Sequence, residues 1–333
     1  MKNTSTHHLR SYTFLFITAL LWGFAFAAQR LGGKALGPFS FNAIRFVVGS
    51  VSLIPLMFWM GKIRARQNPE STPATADSRG AIPTPTAANR RRGERKNLIG
   101  AGVACGTVLF CGSSLQQAGM LWTEAGKAAF LTGLYIVFVP IAGLLAGKKQ
   151  GLGLGIGAAL AAIGLYLMSV RNGFSISLGD SLEIASAFFW AGHILVLAYF
   201  SRRHDAVKLA FVQNVACAIL SLGAAIIAEH FSLATVALAF APGAAGSLIP
   251  ILYTGIGSIG IAYTLQILGQ KGVAAGPASL IMSMETVFAA VGGWLILGET
   301  MDARALTGAG LMLAGMLTAQ LIPADFGKRG KNR

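Results

Sequence analysis

Apolar residues in this chain fall into ten long runs, each broken from the next by a polar gap. We place them at 12–29, 39–60, 98–118, 126–146, 152–170, 180–200, 209–229, 247–268, 276–297 and 304–322. Each is close to the roughly 20 residues that a helix needs to cross the hydrocarbon core of a bilayer. No water is available there, so each run must satisfy its own backbone, and a helix does that within one segment. Residues 115–165 align with 265–315 at a constant offset of about 150, the period of a long internal repeat. Leu115-Gln116 falls on Leu265-Gln266, Gly119 on Gly269, Ala125-Gly126 on Ala275-Gly276, and Gly147 within one residue of Gly298. Each copy holds five runs. An odd number sends the second copy into the membrane upside down relative to the first. The predicted fold class is therefore an all-α polytopic membrane protein, ten transmembrane helices as two inverted five-helix repeats. The first repeat covers 1–170, including a disordered cytoplasmic linker at 61–97. The second covers 180–322, and a basic cytoplasmic tail fills 323–333.

Composition agrees. Charged residues make up 12% of the chain and apolar ones 54%, against about 25% charged in soluble domains. The net charge of +15 does not mark a nucleic-acid partner, because no basic stripe with interleaved aromatics is present. Lys and Arg crowd alternate gaps instead, as the positive-inside rule requires. Lys2, Arg10, the 61–97 stretch with Arg90-Arg91-Arg92, Lys148-Lys149, Arg202, Arg203, Lys208, Lys271 and the tail lie on one side. Arg30, Lys34, Lys127, Arg171 and Arg304 lie on the other. Both termini are expected in the cytoplasm, with the chain in the cell (inner) membrane. The 61–97 stretch is too rich in Pro, Ala, Thr and Arg to order itself; it is a solvated linker or a weak anchor to anionic head groups. Ala25-Phe26-Ala27 resembles a signal-peptidase site, but the repeat needs the first run, so it is expected to remain. Cys105, Cys111 and Cys217 sit inside apolar runs and read as small buried side chains rather than a disulfide or metal site.

Polar groups within the runs are costly, which makes them informative. Glu285 lies near the middle of the ninth run and should face a cavity or a partner. Its repeat mate is Tyr135. Arg45, with Asn42 one turn earlier, sits in the second run as either a snorkelling side chain or a solute contact. Gln116 and Gln117 close the third run, Gln266 the eighth, and Gln213-Asn214 lie early in the seventh. His193 in the sixth run is either a packing residue or a proton relay. Trp22 and Trp190 open their halves and either line a cavity or pack. Trp59 and Trp122 read as interfacial anchors. Asp180 reads as the N-cap of the sixth helix, with Glu183 at its capping-box position; Glu299 and Asp302 read as solvated end charges. Gly255-x-Gly257-x-x-Gly260 has the dinucleotide-fingerprint spacing but no strand before it, so we read it as helix packing. Gly147, Gly151 and Gly155, and likewise Gly153 and Gly157, have the GxxxG spacing of close helix contacts, within the bundle or across a homodimer. The candidate solute or coupling residues are thus Glu285, Tyr135, Arg45, Asn42, Gln116, Gln266, Trp22, Trp190 and His193.

Several motifs resemble one family. They are Leu21-Trp22-Gly23, Arg45-Phe46, Phe130-Leu131-Thr132-Gly133-Leu134-Tyr135 followed by Pro140, Met284-Glu285-Thr286-Val287-Phe288-Ala289-Ala290, and Leu297-Gly298-Glu299. Together they look like the EamA family of the drug/metabolite transporter superfamily, over nearly all the chain except 61–97. The resemblance implies a ten-helix inner-membrane carrier of small metabolites, often amino acids or related compounds, usually outward. It also implies a central cavity lined by helices 1, 3, 4, 6, 8 and 9. The chain departs from the family pattern at Thr286, where Pro often follows the glutamate, and at Gly147-Lys148, where an acidic residue often follows the glycine.

These readings converge on a secondary transporter with alternating access around a midplane site. It would act on a small solute within the lipid bilayer, without a cofactor, and efflux is the expected direction. No GxxxxGK[ST] motif is present for ATP. A membrane-embedded enzyme is the first alternative, but HExxH, GxSxG and clustered acids are missing from the runs. A passive channel is the second; it would more often show a filter or a ring of charges.

Overall fold

The computed structural model describes residues 2–33, 36–67, 85–123, 125–147, 151–169, 177–241, 247–298 and 302–322. They are helical, with no strand among the described residues. The first half comprises α1 (Lys2–Gly33), α2 (Pro38–Gln67), α3 (Pro85–Gly119), α4 (Ala125–Gly133), α5 (Tyr135–Leu145) and α6 (Leu152–Ser169). The second comprises α7 (Leu178–Phe200), α8 (Ala206–Glu229), α9 (Leu233–Phe240), α10 (Leu248–Leu252), a π-helix (Tyr253–Ala262), α11 (Tyr263–Gly272), α12 (Ala275–Met282), α13 (Glu285–Leu297) and α14 (Ala303–Leu321). Among the described residues, eight helical stretches are long and apolar enough to cross a membrane, and shorter apolar helices cover Leu152–Leu167 and Leu306–Ala319. This is an all-α, multi-pass membrane protein.

Two of the stretches are broken, at matching points. The fourth apolar run divides at Leu134 and the ninth at Met284. The backbone there is nearly identical: φ −59°, ψ −14° at Leu134 and φ −58°, ψ −13° at Met284. Each break is a tight four-residue turn, with the Leu134 N–H donating to the Leu131 carbonyl and the Met284 N–H to the Ile281 carbonyl, both at 3.2 Å. The half-helices that follow end alike. Gly147 (φ 71°) and Gly298 (φ 70°) both take the left-handed conformation, which costs a side chain with a Cβ but not glycine. Tyr135 and Glu285 are the first residues after the two breaks.

Helix contacts come in pairs that exchange the two halves. α6 packs on α14, and α2 packs on α8. α1 packs on α11 and on α13; its counterpart α7 packs on α3 and on both α4 and α5. α2 packs on the π-helix as α8 packs on α3, and the two broken helices cross, α4 on α13 and α5 on α12. Glycine permits the closest crossings. A Cβ on Gly157 would stand 2.5 Å from the Gly315 carbonyl oxygen, and one on Gly315 would stand 2.5 Å from the Gly157 carbonyl oxygen. Gly153 is filled in the same way by Ile322. The 153/157 spacing therefore serves the α6–α14 contact inside one chain, while Gly155 faces open space. Gly255 and Gly260 of the dinucleotide-like spacing lie against Val48 and Ser52 of α2, as expected for packing.

Two local expectations need correction. The 61–97 linker is shorter than expected, since α2 continues to Gln67 and α3 begins at Pro85. Helix propensity in the Ala-, Arg- and Lys-containing flanks extends the spans into water; positions 68–84 lie outside the described residues, as do Glu299 and the 323–333 tail. The N-cap of α7 is Ser177, not Asp180. Its hydroxyl accepts from the Asp180 N–H at 3.2 Å, and the Asp180 carboxylate accepts from the Ser177 N–H at 2.7 Å. Asp180 thus completes a capping box, and Glu183 is released from any capping role. A further contact lies at the C-terminal end of α8, where Glu229 accepts from the Phe39 and Ser40 N–H groups at 2.9 and 2.7 Å. This carboxylate caps α2 from another helix, a contact that no sequence spacing announces.

Substituting Gly157→Val should lower the melting temperature in detergent by several degrees, through overpacking of about 1–3 kcal/mol. Gly155→Val, facing open space, should leave it unchanged. Equal melting temperatures for the two variants would refute the reciprocal glycine contact.

Candidate functional site

The helix breaks open onto a narrow chamber between the two halves, with a cavity volume of about 40 Å³. α1 supplies Trp22, Phe26 and Gln29; α2 supplies Arg45 and Phe46. Gln116 comes from α3, and Thr132 and Tyr135 flank the first break. The second half supplies Trp190 and Ile194 of α7, Ser258 and Ile259 of the π-helix, Tyr263 and Gln266 of α11, and Glu285 at the second break. All the helices named by the family resemblance contribute. The second apolar run, which that resemblance left out, contributes as well.

Groups of opposite charge type border this space. The Arg45 guanidinium donates through Nη1 to the Gln29 amide oxygen and lies over the rings of Phe41 and Phe46, at 5.3 and 5.6 Å from their centroids. Glu285 faces Tyr135 and couples to it electrostatically, although the Tyr135 hydroxyl has no geometrically complete hydrogen bond. Tyr263 interacts electrostatically with both Arg45 and Glu285 and lines the chamber with them. It anchors an aromatic wall: its ring centroid is 5.1 Å from that of Trp22 and 6.3 Å from that of Phe46, and Trp22 is 6.3 Å from Trp190. Such a wall excludes water laterally and offers π faces to a cation. The start of α13 at Glu285 places the positive end of a helix dipole beside the carboxyl.

The π-helix is held by side chains from its neighbours. Trp22 Nε1–H donates to the Ser258 carbonyl at 3.1 Å, Asn214 Nδ2–H to the Ile259 carbonyl at 3.4 Å, and Thr18 Oγ1–H to the Ala262 carbonyl at 3.2 Å. These bonds fix the segment that presents Ser258 and Ile259 to the chamber.

The structure brings together seven of the candidates: Glu285, Tyr135, Arg45, Gln116, Gln266, Trp22 and Trp190. It leaves two outside. His193 is fully buried, 3.3 Å from Gln213 through Nε2, with its ring against Trp190 and Tyr263. It supports the aromatic wall from behind. Asn42 is buried one turn from Arg45, and neither amide atom has a partner among the described residues. Trp59 and Trp122 are exposed on the surface, as expected of interfacial anchors. The sequence reading missed Gln29, Thr132 and Tyr263. Thr132 lay inside a quoted motif, and Tyr263 lay three residues before Gln266 on the same helix face. Gln29 carried no signal except its place in an apolar run. No group of three or more metal-ligating side chains occurs among the described residues.

The EamA-like transporter family profile matches twice, over residues 9–170 and again over 177–319. The chain belongs to this family and so to the drug/metabolite transporter superfamily. It is similar to an uncharacterized transporter of Archaeoglobus fulgidus, 26% identical over 313 residues, covering 92% of this chain and 84% of the relative. A second uncharacterized transporter of that organism is 26% identical over 197 residues, 59% of this chain and 67% of the relative. A solved structure titled only as the crystal structure of a protein superposes with a TM-score of 0.66 at 18% identity, covering 93% of this chain and 96% of that one; this likeness shows the fold. The chain is a membrane transporter.

Because Asn42 lies outside the chamber, Asn42→Leu should leave the half-saturating solute concentration within about twofold, and trading two unsatisfied polar atoms for methyl groups should not lower stability. Gln116→Ala, inside the chamber, should raise that concentration about tenfold, the loss of roughly one hydrogen bond to a charged group. Uptake kinetics of the two variants side by side decide the point.

Proposed function

We propose that this transporter is a secondary carrier that exports small metabolites, amino acids or related compounds, by alternating access across the cytoplasmic membrane. The observation that carries the reading is the chamber at the two symmetric helix breaks, lined by Arg45 and Glu285 together with Tyr263, which interacts with both. A zwitterion suits that set of groups: its carboxylate pairs with the guanidinium and its ammonium with the carboxyl and the aromatic faces. Broken helices at a repeat interface are the usual setting of solute sites in secondary transporters. The two family matches and the paired helix contacts support two inverted halves, which can rock about the chamber. On this reading α6 and α14 complete the set of ten spans, and both termini lie in the cytoplasm.

Counterflow in proteoliposomes tests the carrier directly. Vesicles preloaded with a mixture of unlabelled amino acids should accumulate at least one labelled member transiently above equilibrium. Linear equilibration without overshoot, for every member, would sink the amino-acid reading.

Glu285→Gln keeps the shape and hydrogen-bonding capacity of the side chain but removes its charge. It should abolish exchange, or flatten its dependence between about pH 5.5 and pH 8, in protein that still inserts. Tyr135→Phe, which loses one hydroxyl, should do less harm. Wild-type exchange by Glu285→Gln across that range would make the carboxyl merely structural.

Orientation is read by cysteines introduced, without the native three, at Arg202 between α7 and α8 and at Leu233 in α9. An impermeant thiol reagent added to intact cells should label position 233 and spare position 202. The opposite pattern would invert the topology.

A further inference from the structure

A second carboxyl lies close to the chamber, and the account above gives it no role. Glu183 projects from α7 about five residues, roughly 7–8 Å, inside its outer end, and it is fully buried. One carboxyl oxygen, Oε2, accepts from the Thr132 hydroxyl at 3.0 Å. Thr132 in turn accepts from the Gln116 amide at 3.3 Å, and both Thr132 and Gln116 line the chamber. The other oxygen, Oε1, has no hydrogen-bond partner among the described residues. It lies against Gly119 of α3, where a Cβ would stand 2.8 Å from it. On its outer side Glu183 senses Asp180, one turn away. Asp180 accepts from Thr123 at 3.1 Å, and Thr123 lines a vestibule together with Gln29, Arg30 and Gln117. Gln29 borders both the vestibule and the chamber.

Among the described residues, the helices packed on α7 offer this carboxyl little compensating charge. α7 packs on α3, α4, α5, α11 and α12. Near the outer end these elements present Gln116 and Gly119 of α3, Thr132 of α4 and the Tyr135 phenol of α5. The charged residues Glu94, Arg95 and Lys96 of α3 and Lys271 of α11 lie at the opposite, inner ends, and α12 carries no charge. The Lys127 side chain of α4 lies outside the described residues. An ionised carboxylate without a cation is expensive in such a place, and a bound proton relieves that cost.

We propose that Glu183 is a proton-binding site of the carrier, loaded from the outer vestibule and linked to the solute chamber through Thr132 and Gln116. The inference rests on the carrier reading but concerns a different group from Glu285. The chemistry is a reversible protonation. An O–H bond forms at Oε1 as a proton leaves vestibule water, passing Thr123 and Asp180, and it breaks when the proton returns to water. Protonation at Oε1 removes the negative charge shared with Oε2, which then accepts more weakly from the Thr132 hydroxyl. The strength of that hydrogen bond, and through it the hold on the Gln116 amide, then depends on whether the proton is present. An inward proton gradient thereby acquires a contact with the wall of the solute site.

Infrared spectroscopy of the purified, solute-free protein tests this without any transported solute, so its outcome is independent of the counterflow experiment. At neutral pH the wild type should show a carbonyl band of a protonated carboxylic acid that shifts in D₂O. The band should persist in Glu285→Gln and be lost in Glu183→Gln. Thr132→Val and Gln116→Ala, which keep the carboxyl and serve if Glu183→Gln fails to fold, should retain the band at a changed frequency. Survival of every acid band in folded Glu183→Gln, or no such band in Glu285→Gln, would overturn the proton site. A band unmoved by both Thr132→Val and Gln116→Ala would overturn its link to the chamber.

Discussion

Inside a bilayer, a backbone amide or carbonyl without a partner has no water to turn to. That constraint explains where this protein can afford to be irregular. The helices break at Leu134 and Met284 because tight turns and the neighbouring broken helix take up the freed groups. Thr286 Oγ1, for instance, donates to the Ala129 carbonyl of the opposing half-helix at 3.3 Å. The π-helix survives because Trp22, Asn214 and Thr18 donate to its carbonyls. Each irregularity borders the chamber, so the residues that satisfy stray backbone groups are neighbours of those that would meet a solute.

The two halves share a scaffold but not its chemistry. Trp22 and Trp190 are 168 residues apart, and so are Arg45 and Gln213. The tryptophans meet in the chamber wall as equals, with ring centroids 6.3 Å apart. The other pair does not: Arg45 enters the chamber, whereas Gln213 turns to His193. The same holds at the breaks, where Tyr135 mirrors Glu285. Duplication supplies matched geometry, and substitution at two pairs of equivalent positions turns a symmetric cavity into one lined by both an arginine and a glutamate.

Much of this was legible in the sequence because the bilayer imposes a simple code. Run length, alternating basic gaps and the 150-residue offset all follow from crossing hydrocarbon, and Glu285, Tyr135 and Arg45 stood out because polar groups there are costly. What escaped detection depends on contacts between distant elements. Gln29 matters because it meets Arg45, sixteen residues away on another helix. Glu183 looked like a capping residue until Ser177 and Asp180 were seen to close the box without it. Glu229 ends its own helix unremarkably but caps α2. Asn42 and His193 show the reverse error: intramembrane polarity alone does not say which face of the helix meets the cavity.

The π-helix also sets a phase. A wider turn accommodates surplus residues without lengthening the strictly α-helical parts, and each extra residue rotates everything downstream by about 100° around the axis. α10 and α11 are thus two helices sharing an axis but not a rotational register. Tyr263 and Gln266 point at the chamber because Tyr253–Ala262 precedes them in this wound state. Rewinding that segment to α geometry would carry both side chains around the helix and off the chamber wall, with no helix end having to move sideways.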